Sequence, residues 1–312
     1  MLLLAPMEGV ADHSMRALLT EHGHFDLCIS EFVRVSNTLL PERVFKRYLP
    51  ELDHGCQTPS GCPVHVQLLG SDPQLMGENA QRVVEMGAPG IDINFGCPAK
   101  MVNRHGGGAQ LLQEPELVAR IVSAVRRAVP DPIPVSAKMR LGYEDTCLAL
   151  DNACAIESAG ASALTVHART KVQGYRPPAH WEWLARIKEV VSLPLVANGD
   201  IWSYDDYLRC AQVSGCEHFM LGRGALRNPL LSRQIQQRNP GLGREQEWQQ
   251  IRPLLLDFYK VTCASYPERY LCQRIKQWLS FLAPGYEPAQ ELFNQIKPLH
   301  SSQQILPLLE AA

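Results

Sequence analysis

Short apolar runs alternate with longer amphipathic stretches along most of this chain, and the alternation predicts its fold. The longer stretches, such as residues 73–86, 115–129 and 204–213, carry apolar residues at three- and four-residue spacing, which is typical of helices that pack through one face. Eight strands that alternate with helices predict an α/β TIM (β/α)8 barrel, with an open doubly wound sheet as the alternative. The eight apolar runs are residues 2–7, 26–30, 64–69, 90–94, 135–139, 163–167, 195–198 and 218–221.

The alternation stops near residue 240. Asn239-Pro240 followed by Gly241-Leu242-Gly243 is typical of a helix end and a linker. The remaining patterns, at residues 245–264, 269–282, 288–296 and 302–311, are all helical and include no strand candidate. We therefore predict a barrel over residues 1–240 and a small all-α helical domain over residues 241–312.

Polar residues follow almost every apolar run at its C-terminal end. In a TIM barrel these ends meet on one face, which is the face that carries active sites. The sequence therefore predicts one site built from several strands. Its members are Pro6-Met7-Glu8, Gln67, Asn94 to Cys97, Lys138 with Arg140, His167 with Arg169, Asn198-Gly199-Asp200 and Gly222-Arg223.

Composition narrows the class of protein without identifying a ligand. Hydrophobic residues make up 46% of the chain and charged residues 20%, a globular balance, and the net charge of −2 does not favour a polyanionic partner. None of the ten cysteines forms a C-x-x-C pair, so no metal site is expected. No apolar run is long enough to span a membrane, and no protein partner is indicated, so we expect a soluble cytoplasmic protein.

Two glycine-containing loops follow the last two predicted strands, Asn198-Gly199-Asp200 and Gly222-Arg223-Gly224. Glycines let a phosphate approach the backbone, and these two loops of a TIM barrel commonly bind one. The third glycine of a dinucleotide fingerprint is missing, because Arg227 stands in its place. A phosphorylated cofactor is therefore favoured, while two tight turns that merely close the barrel remain the alternative.

Lys138, His167 and Gln67 stand at strand ends that face the same side of the predicted barrel. A lysine can stabilise the electron-rich edge of a reduced flavin, and an imidazole or amide can bond a ring carbonyl or a phosphate. Each residue alone could be structural. Together with the two glycine loops they favour FMN over a phosphosugar substrate.

Cys97 differs from the other cysteines in its surroundings. It directly follows the fourth strand between Gly96 and Pro98, and the loop beyond it contains Arg104 and His105 before a run of three glycines. A thiol on such a loop can deliver a proton to a substrate or act as a nucleophile. The alternative is a small buried side chain with no chemical role.

The helical tail contains one basic and aromatic segment, residues 269–278. Arg274 and Trp278 lie one turn apart and share a helix face. The tail carries as many acidic as basic residues, so a phosphate-binding stripe requires the acids to lie elsewhere. An ordinary amphipathic helix with a solvated face remains equally open.

Taken together, the motifs resemble those of the bacterial tRNA-dihydrouridine synthases in order and spacing over the whole chain. The details are most similar to C-type members, which act on the D-loop uridine at tRNA position 16; Asp200 stands where those sequences tend to carry Glu. The family motifs are Ala5-Pro6-Met7-Glu8-Gly9, Glu31, Asn94-Phe95-Gly96-Cys97-Pro98, Gly106-Gly107-Gly108-Ala109, Lys138-Met139-Arg140, His167-Ala168-Arg169-Thr170, Asn198-Gly199-Asp200 and Gly222-Arg223-Gly224. The C-type features are residues 31–35, 67–70 and 274–280.

The resemblance implies an FMN-binding barrel, a helical domain that helps to hold tRNA, and NADPH as reductant. It implies that flavin N5 gives a hydride to C6 of uracil, that Cys97 protonates C5, and that the base leaves its stack to react. The positions that match flavin contacts are Pro6, Met7, Glu8, Gln67, Lys138, His167, Asn198, Gly199, Asp200, Gly222 and Arg223. Those that match positions near the tRNA substrate are Arg34, Asn94, Arg140, Arg274 and Lys276.

Two other functions fit parts of the pattern. Another FMN barrel oxidoreductase, similar to dihydroorotate dehydrogenase and acting on a free pyrimidine, would share the phosphate loops and the lysine. It would not need a tail with Arg274 and Lys276. A non-catalytic tRNA-binding protein on the same barrel is the second alternative, and the presence of Cys97, Lys138 and His167 argues against it.

Overall fold

The computed structural model describes residues 1–311, and its centre is a closed barrel of parallel strands. The strands follow one another around the barrel, and a direct pairing between β2 and β4 closes it. The TIM-barrel prediction is therefore confirmed and the open-sheet alternative is wrong. The strands are β1 (Leu2–Leu4), β2 (Leu27–Ile29), β3 (Val33–Arg34), β4 (Val64–Leu69), β5 (Ile91–Phe95), β6 (Val135–Arg140), β7 (Ala163–His167), β8 (Leu195–Asn198) and β9 (His218–Leu221).

The second barrel strand is broken into two parts, β2 and β3, which lie end to end along β4. Cys28 of β2 pairs with Val64 at the start of β4, whereas Val33 of β3 pairs with Leu68 near its end. The sequence predicted the first part alone. The break makes room for Glu31, whose carboxylate accepts a hydrogen bond of 2.5 Å from the Gly9 N–H in the loop after β1.

Helices cover the outside of the barrel and begin with ordinary capping signals. Asp12 and Asp72 cap α1 and α3 through their side chains, and Pro73 occupies the first turn of α3. The barrel helices are α1 (His13–His22), α2 (Glu42–Tyr48), α3 (Pro73–Glu85), α4 (Lys100–Arg104), α5 (Pro115–Ala128), α6 (Ala149–Ser158), α7 (Glu182–Val190), α8 (Tyr204–Ser214), α9 (Arg223–Arg227) and α10 (Leu231–Gln236), with 3-10 turns at Pro50–His54 and Gly108–Gln113.

The barrel interior has an apolar half and a polar half. Leu3, Leu27, Ile29, Val196 and Met220 form a separate buried cluster inside β1, β2, β8 and β9. The inward positions of β4 to β7 are polar instead. They include Gln67, Asp92, Asn94, Ser136, Lys138, Thr165 and His167. A polar interior is stable only where its groups are hydrogen-bonded, so this half is where a site is expected.

The tail is entirely helical within the described residues, as the sequence predicts, and packs against α1 and α9 of the barrel. Trp278 is fully buried there; its indole N–H donates to the Leu226 carbonyl at 3.0 Å, and its ring meets Phe258 edge-on at 5.1 Å. One hydrophobic core runs from the barrel into the tail, so the domain boundary at residue 240 stays a prediction. Its helices are α11 (Arg244–Ser265), α12 (Glu268–Leu282), α13 (Glu287–Ile296) and α14 (Ser302–Ala311).

Within residues 1–311, none of the helices has the length and apolar character needed to cross a membrane.

Candidate active site

A cavity of about 480 Å³ opens at the C-terminal ends of the strands. Its size lies within the roughly 300–1,000 Å³ range of small-molecule and cofactor sites. Fourteen of the predicted site residues come together in its wall, whereas Arg34, Arg274 and Lys276 do not line it. The fourteen are Pro6, Met7, Glu8, Gln67, Asn94, Cys97, Lys138, Arg140, His167, Asn198, Gly199, Asp200, Gly222 and Arg223.

Cys97 sits on a tight turn that is held by hydrogen bonds on both sides. The side-chain oxygen of Asn94 accepts from the backbone N–H groups of Gly96 and Cys97, both at 2.9 Å. Arg140 donates from Nε to the Gly96 carbonyl at 2.8 Å, and Asn103 donates to the Cys97 carbonyl at 2.9 Å. The turn is thereby fixed with the Cys97 side chain, 7% exposed, in the cavity wall.

The surroundings of Cys97 keep its thiol protonated. Burial raises the pKa of the thiol above its ordinary value, and Glu8 adds to the rise, whereas Arg140 and Arg34 oppose it. A thiol that retains its proton at neutral pH is suited to act as an acid and poorly suited to act as a nucleophile. The electrostatics therefore favour the first of the two roles that the sequence left open.

Lys138 is buried in the cavity wall, and its hydrogen-bond partner there is the uncharged side chain of Asn198. Its ammonium lies 3.2 Å from Oδ1 of Asn198, whose amide N–H₂ donates in turn to the Met220 carbonyl at 2.8 Å. Burial lowers the pKa of Lys138 to about 8; Arg140 contributes, and the carboxylate of Asp92 opposes the shift. Since an ammonium has three donors, Lys138 keeps hydrogen-bonding capacity for a ligand with an electron-rich edge.

His167 is neutral at physiological pH and rests against Arg169. Burial lowers its pKa well below the ordinary value, and the cations Arg140, Lys138, Arg169 and Arg223 reinforce the effect. One guanidinium nitrogen of Arg169 lies 3.2 Å from Nε2 of His167. The same guanidinium forms an ion pair with Asp200 through its other nitrogen.

Asp200 joins this group from the loop after β8. Burial alone would raise the pKa of the Asp200 carboxyl. The hydrogen bond and the charge of Arg169 outweigh burial and hold this pKa below its ordinary value. Its backbone is left-handed, with φ of 54°, a conformation that Asp tolerates better than most residues. The preceding Gly199 has φ of 119°, and a Cβ there would lie 3.0 Å from the His167 ring, so this turn requires glycine.

Arg223 forms the outer edge of the cavity, between two aromatic rings. Its guanidinium carbon lies 4.6 Å from the Tyr175 ring centre and 4.9 Å from that of Trp202. Both rings line the cavity, as does Phe281 from the tail. The sequence analysis missed all three aromatic residues. Tyr175 is 53% exposed in the loop after β7. An aromatic residue next to Gly174, soon after a predicted strand end, was the signal available in the sequence.

The cavity fits the phosphorylated flavin that the sequence predicted. Cations outnumber carboxylates in its wall, with Lys138, Arg140 and Arg223 against Glu8 and Asp200. The buried Lys138 has donors left for the anionic edge of a ring system. Gly199, Gly222 and Arg223 leave a corner open to a phosphate.

The three other predicted tRNA contacts lie away from the cavity wall. Arg34 is exposed on β3. Arg274 donates to the carbonyls of Gly9 at 3.1 Å and Val10 at 3.2 Å, while Lys276 donates to the Leu299 carbonyl at 2.5 Å. Both tail cations are therefore engaged with the protein, and their contact with tRNA stays a prediction.

Solved structures share this barrel. The chain is similar to the old yellow enzyme homologue from Zymomonas mobilis, with a TM-score of 0.55 and 14% identity over 79% of this chain and 91% of that one. A 2-naphthoyl-CoA reductase aligns with a TM-score of 0.59 and 12% identity, over 77% of this chain and 50% of that one. At these identities the likeness concerns the fold. The fold and the cavity together define a TIM barrel with a cofactor-sized site at the C-terminal ends of its strands, the face on which barrel enzymes carry their active sites.

Sequence relatives narrow the class to a family. The family described as Dihydrouridine synthase (Dus) matches residues 3–303. The tRNA-dihydrouridine(16) synthase of Ralstonia nicotianae is 50% identical over 100% of this chain and 95% of its own length. Proteins with the same name from Aquipseudomonas alcaligenes (50% identity, 98% of each chain) and Shewanella oneidensis (47%, 99% of this chain and 97% of that one) are also similar. The chain belongs to the dihydrouridine synthase family and is a flavin-dependent oxidoreductase.

Proposed function

We propose that this protein uses FMN and NADPH to reduce uridine 16 in the D-loop of tRNA to 5,6-dihydrouridine. The observation that carries the proposal is the position of Cys97. Its protonated thiol lines the same cavity as the buried Lys138 and the glycine loops suited to a phosphate. The relatives of about 50% identity are named tRNA-dihydrouridine(16) synthases, which supports both tRNA as the substrate and position 16 as the site.

The flavin would be held by residues from the ends of six strands. Arg223, Gly222 and Gly199 would bind the phosphate, and Asn198 and Asp200 would order these loops from behind. Lys138 and His167 would bond the pyrimidine edge of the ring system, with Gln67 beside them. Pro6, Met7 and Glu8 would form the wall of the cavity on the side of β1.

A bound flavin supplies a hydride to C6 of the uracil ring. The protein supplies the proton: the Cys97 thiol donates it to C5, which completes the saturation of the C5–C6 bond. Arg140 and Asn94 hold the Cys97 turn during the step, and Arg140 closes the cavity by bonding the Thr170 and Gly174 carbonyls at 3.0 and 2.9 Å. NADPH would be the source of the electrons that this chemistry consumes.

A uridine in folded tRNA reaches this cavity only if it leaves its stack. Arg34 lies near enough to Cys97 for its charge to affect the thiol, and it is free on the surface to meet a phosphate. In this proposal the helical tail, residues 241–312, would hold the body of the tRNA, with Arg274 and Lys276 of α12 near the contact. Shape and phosphate contacts would dominate this interface, because the tail carries no net charge.

The test is a reduction assay on tRNA that lacks dihydrouridine. The purified yellow protein is mixed with NADPH and each of two transcripts, one natural and one with cytidine at position 16, and dihydrouridine is mapped by mass spectrometry. We expect dihydrouridine at position 16 of the first transcript and none in the second. Reduction at another position would refute the site assignment, and reduction of free uracil or orotate at the same rate would refute tRNA as the substrate.

A further inference from the structure

A row of hydrogen-bonded polar side chains crosses the barrel interior from β6 to the Cys97 turn. Ser136 donates to one carboxylate oxygen of Asp92 at 2.6 Å, and Gln67 donates to the other at 2.6 Å. Asn94 donates to the side-chain oxygen of Gln67 at 2.7 Å. The exposed fractions of Asp92, Gln67 and Asn94 are 1%, 0% and 8%, so water does not compete for these bonds.

The direction of this row is fixed from both ends. The backbone N–H groups of Gly96 and Cys97 need an acceptor, so the oxygen of Asn94 must face them. The amide nitrogen of Asn94 then faces Gln67, whose oxygen must accept, so the Gln67 nitrogen faces Asp92. Burial raises the pKa of the Asp92 carboxyl above its ordinary value, and the hydrogen bonds from Gln67 and Ser136 and the charge of Lys138 oppose the rise. The Asp92 oxygen that faces the Gln67 nitrogen accepts its hydrogen bond, which makes Asp92 the group that completes the row in this orientation.

We infer that Asp92, which does not line the cavity, positions the Cys97 turn by holding the amides of Gln67 and Asn94 in a single orientation. This inference rests on the proposed role of Cys97 as the acid. It assigns Asp92 a positioning role, since the carboxylate lies two hydrogen-bonded side chains away from the turn. Small displacements of a proton donor reduce its efficiency strongly, so the orientation of these amides controls how fast the proton is transferred.

A purely electrostatic role for Asp92 makes a different prediction. Its negative charge also acts on Lys138, so removing the charge affects Lys138 whatever replaces it. In Asp92→Asn the charge is lost, but the amide oxygen can still accept from Gln67 while its N–H₂ group donates to Ser136. In Asp92→Ala both the charge and the row are lost. The two variants therefore separate position from charge.

The experiment measures alkylation of Cys97 by iodoacetamide across a range of pH, quantified by peptide mass spectrometry. The exposed Cys154 serves as the internal standard. Ser136→Ala is the matched control, because it removes the other hydrogen bond to the same carboxylate and leaves the row to Cys97 intact. Flavin content and a melting curve show that each variant is folded. If Asp92→Ala does not fold, Gln67→Met takes its place, because it removes the hydrogen bonds that Gln67 makes with Asp92 and Asn94.

We expect Asp92→Ala and Gln67→Met to alkylate Cys97 roughly tenfold faster than the wild type, since a freed turn opens more often. The pH midpoint should fall, because the burial that raises the thiol pKa is relaxed. Uridine reduction in Asp92→Ala should fall roughly 10- to 100-fold. Asp92→Asn and Ser136→Ala should stay close to the wild type in the rate and the pH midpoint of Cys97 alkylation.

Two results would overturn the inference. If Asp92→Ala alkylates Cys97 at the wild-type rate and midpoint, Asp92 does not position the turn. If Asp92→Asn alkylates Cys97 as fast as Asp92→Ala does, the charge of Asp92, and not its hydrogen bond to Gln67, is what controls the turn. Alkylation does not depend on the substrate, so a failure of the proposed uridine reduction leaves this test readable and is seen separately in the wild-type assay.

Discussion

Arg274 of α12 and Asp12 at the start of α1 form an ion pair of 2.7 Å that joins the helical tail to the barrel. Asp12 also accepts from the Tyr266 hydroxyl at 2.5 Å, and Arg274 and Gln277 both donate to the Gly9 carbonyl, at 3.1 and 2.9 Å. The loop after β1, which carries Met7 and Glu8 into the cavity, is therefore held in place by the tail.

Arg274→Met should destabilise the protein by about 2 kcal/mol. It leaves Asp12 without its guanidinium and the Val10 carbonyl without this donor, while the Gly9 carbonyl keeps Gln277. Breaking a buried pair costs about 3–5 kcal/mol, and less where the pair is partly exposed as here. Urea unfolding measures the change, and flavin content should fall with it because the β1 loop is loosened. Arg269→Met, at an exposed arginine of the same helix, is the control and should be neutral. Unchanged stability in Arg274→Met would show that the contact with the barrel is incidental.

Cys97→Ala should retain the yellow colour and the oxidation of NADPH by oxygen while uridine reduction falls roughly 10²- to 10⁴-fold. The side chain is an acid in the proposed step and does not form the phosphate corner. Single-turnover oxidation of the reduced enzyme by tRNA isolates that step. Cys147→Ala, at an exposed cysteine, should behave like the wild type. Loss of flavin from Cys97→Ala would instead make the cysteine structural.

Uridine reduction should decline as pH rises through about 8. The pKa of Lys138 is lowered to about 8, so its ammonium is present below that pH and lost above it. Cys97 has a raised pKa and loses its proton only at higher pH, so it adds a second decline there. Lys138→Met, saturated with flavin, should lack the decline near 8 and react roughly 10²-fold more slowly at pH 7. A decline that persists unchanged in this variant would belong to another group.

His65 should make the fold sensitive to mild acid. Burial lowers its pKa to about 4, and its Nδ1 is buried without a partner among the described residues. The unfolded chain, with a pKa of 6.5, binds the proton first, so the stabilisation is complete above pH 6.5 and is lost as pH falls toward 4. By pH 5 the loss should be about 2 kcal/mol.

His65→Phe tests this directly, since a phenyl ring can take the place of the imidazole against Gly90. The difference in unfolding free energy between pH 8 and pH 5 should shrink by about 2 kcal/mol in the variant. His24→Phe, at an exposed histidine, should leave the difference unchanged. An undiminished difference in His65→Phe would mean that other groups, such as the buried His167, account for the acid sensitivity.

The sequence predicts the barrel well because each strand and helix has its own periodicity. All eight apolar runs became strands, and the four predicted tail helices match within a residue at either end. Strand β3 was not predicted, since its two residues, Val33–Arg34, are too few to show a periodicity of their own after the polar Ser30 and Glu31. Strand β1 ends at Leu4, before the predicted end of its run, because Pro6 has no N–H with which to continue the pairing.

The sequence analysis located the site from polar residues at the C-terminal ends of strands, and this criterion misses residues within a strand. It brought together the residues of the cavity wall, but it overlooked Asp92, which lies inside a strand rather than at its end. Only the closed barrel shows that Ser136, Gln67 and Asn94 connect it to the cysteine. Arg274 shares a helix face with the buried Trp278, and this shared face was the sign that it contacts the barrel.

The division of the barrel interior into two halves has a consequence for how this protein can change during evolution. In the apolar half, Leu3, Leu27 and Val196 fill space, and volume-conserving replacements there are usually tolerated one at a time. In the polar half each side chain is a hydrogen-bond partner of the next one. A single replacement therefore leaves its neighbours without a partner, and acceptable changes must come in pairs. We expect substitutions to accumulate independently on one side of the barrel and to co-vary across β4, β5 and β6 on the other.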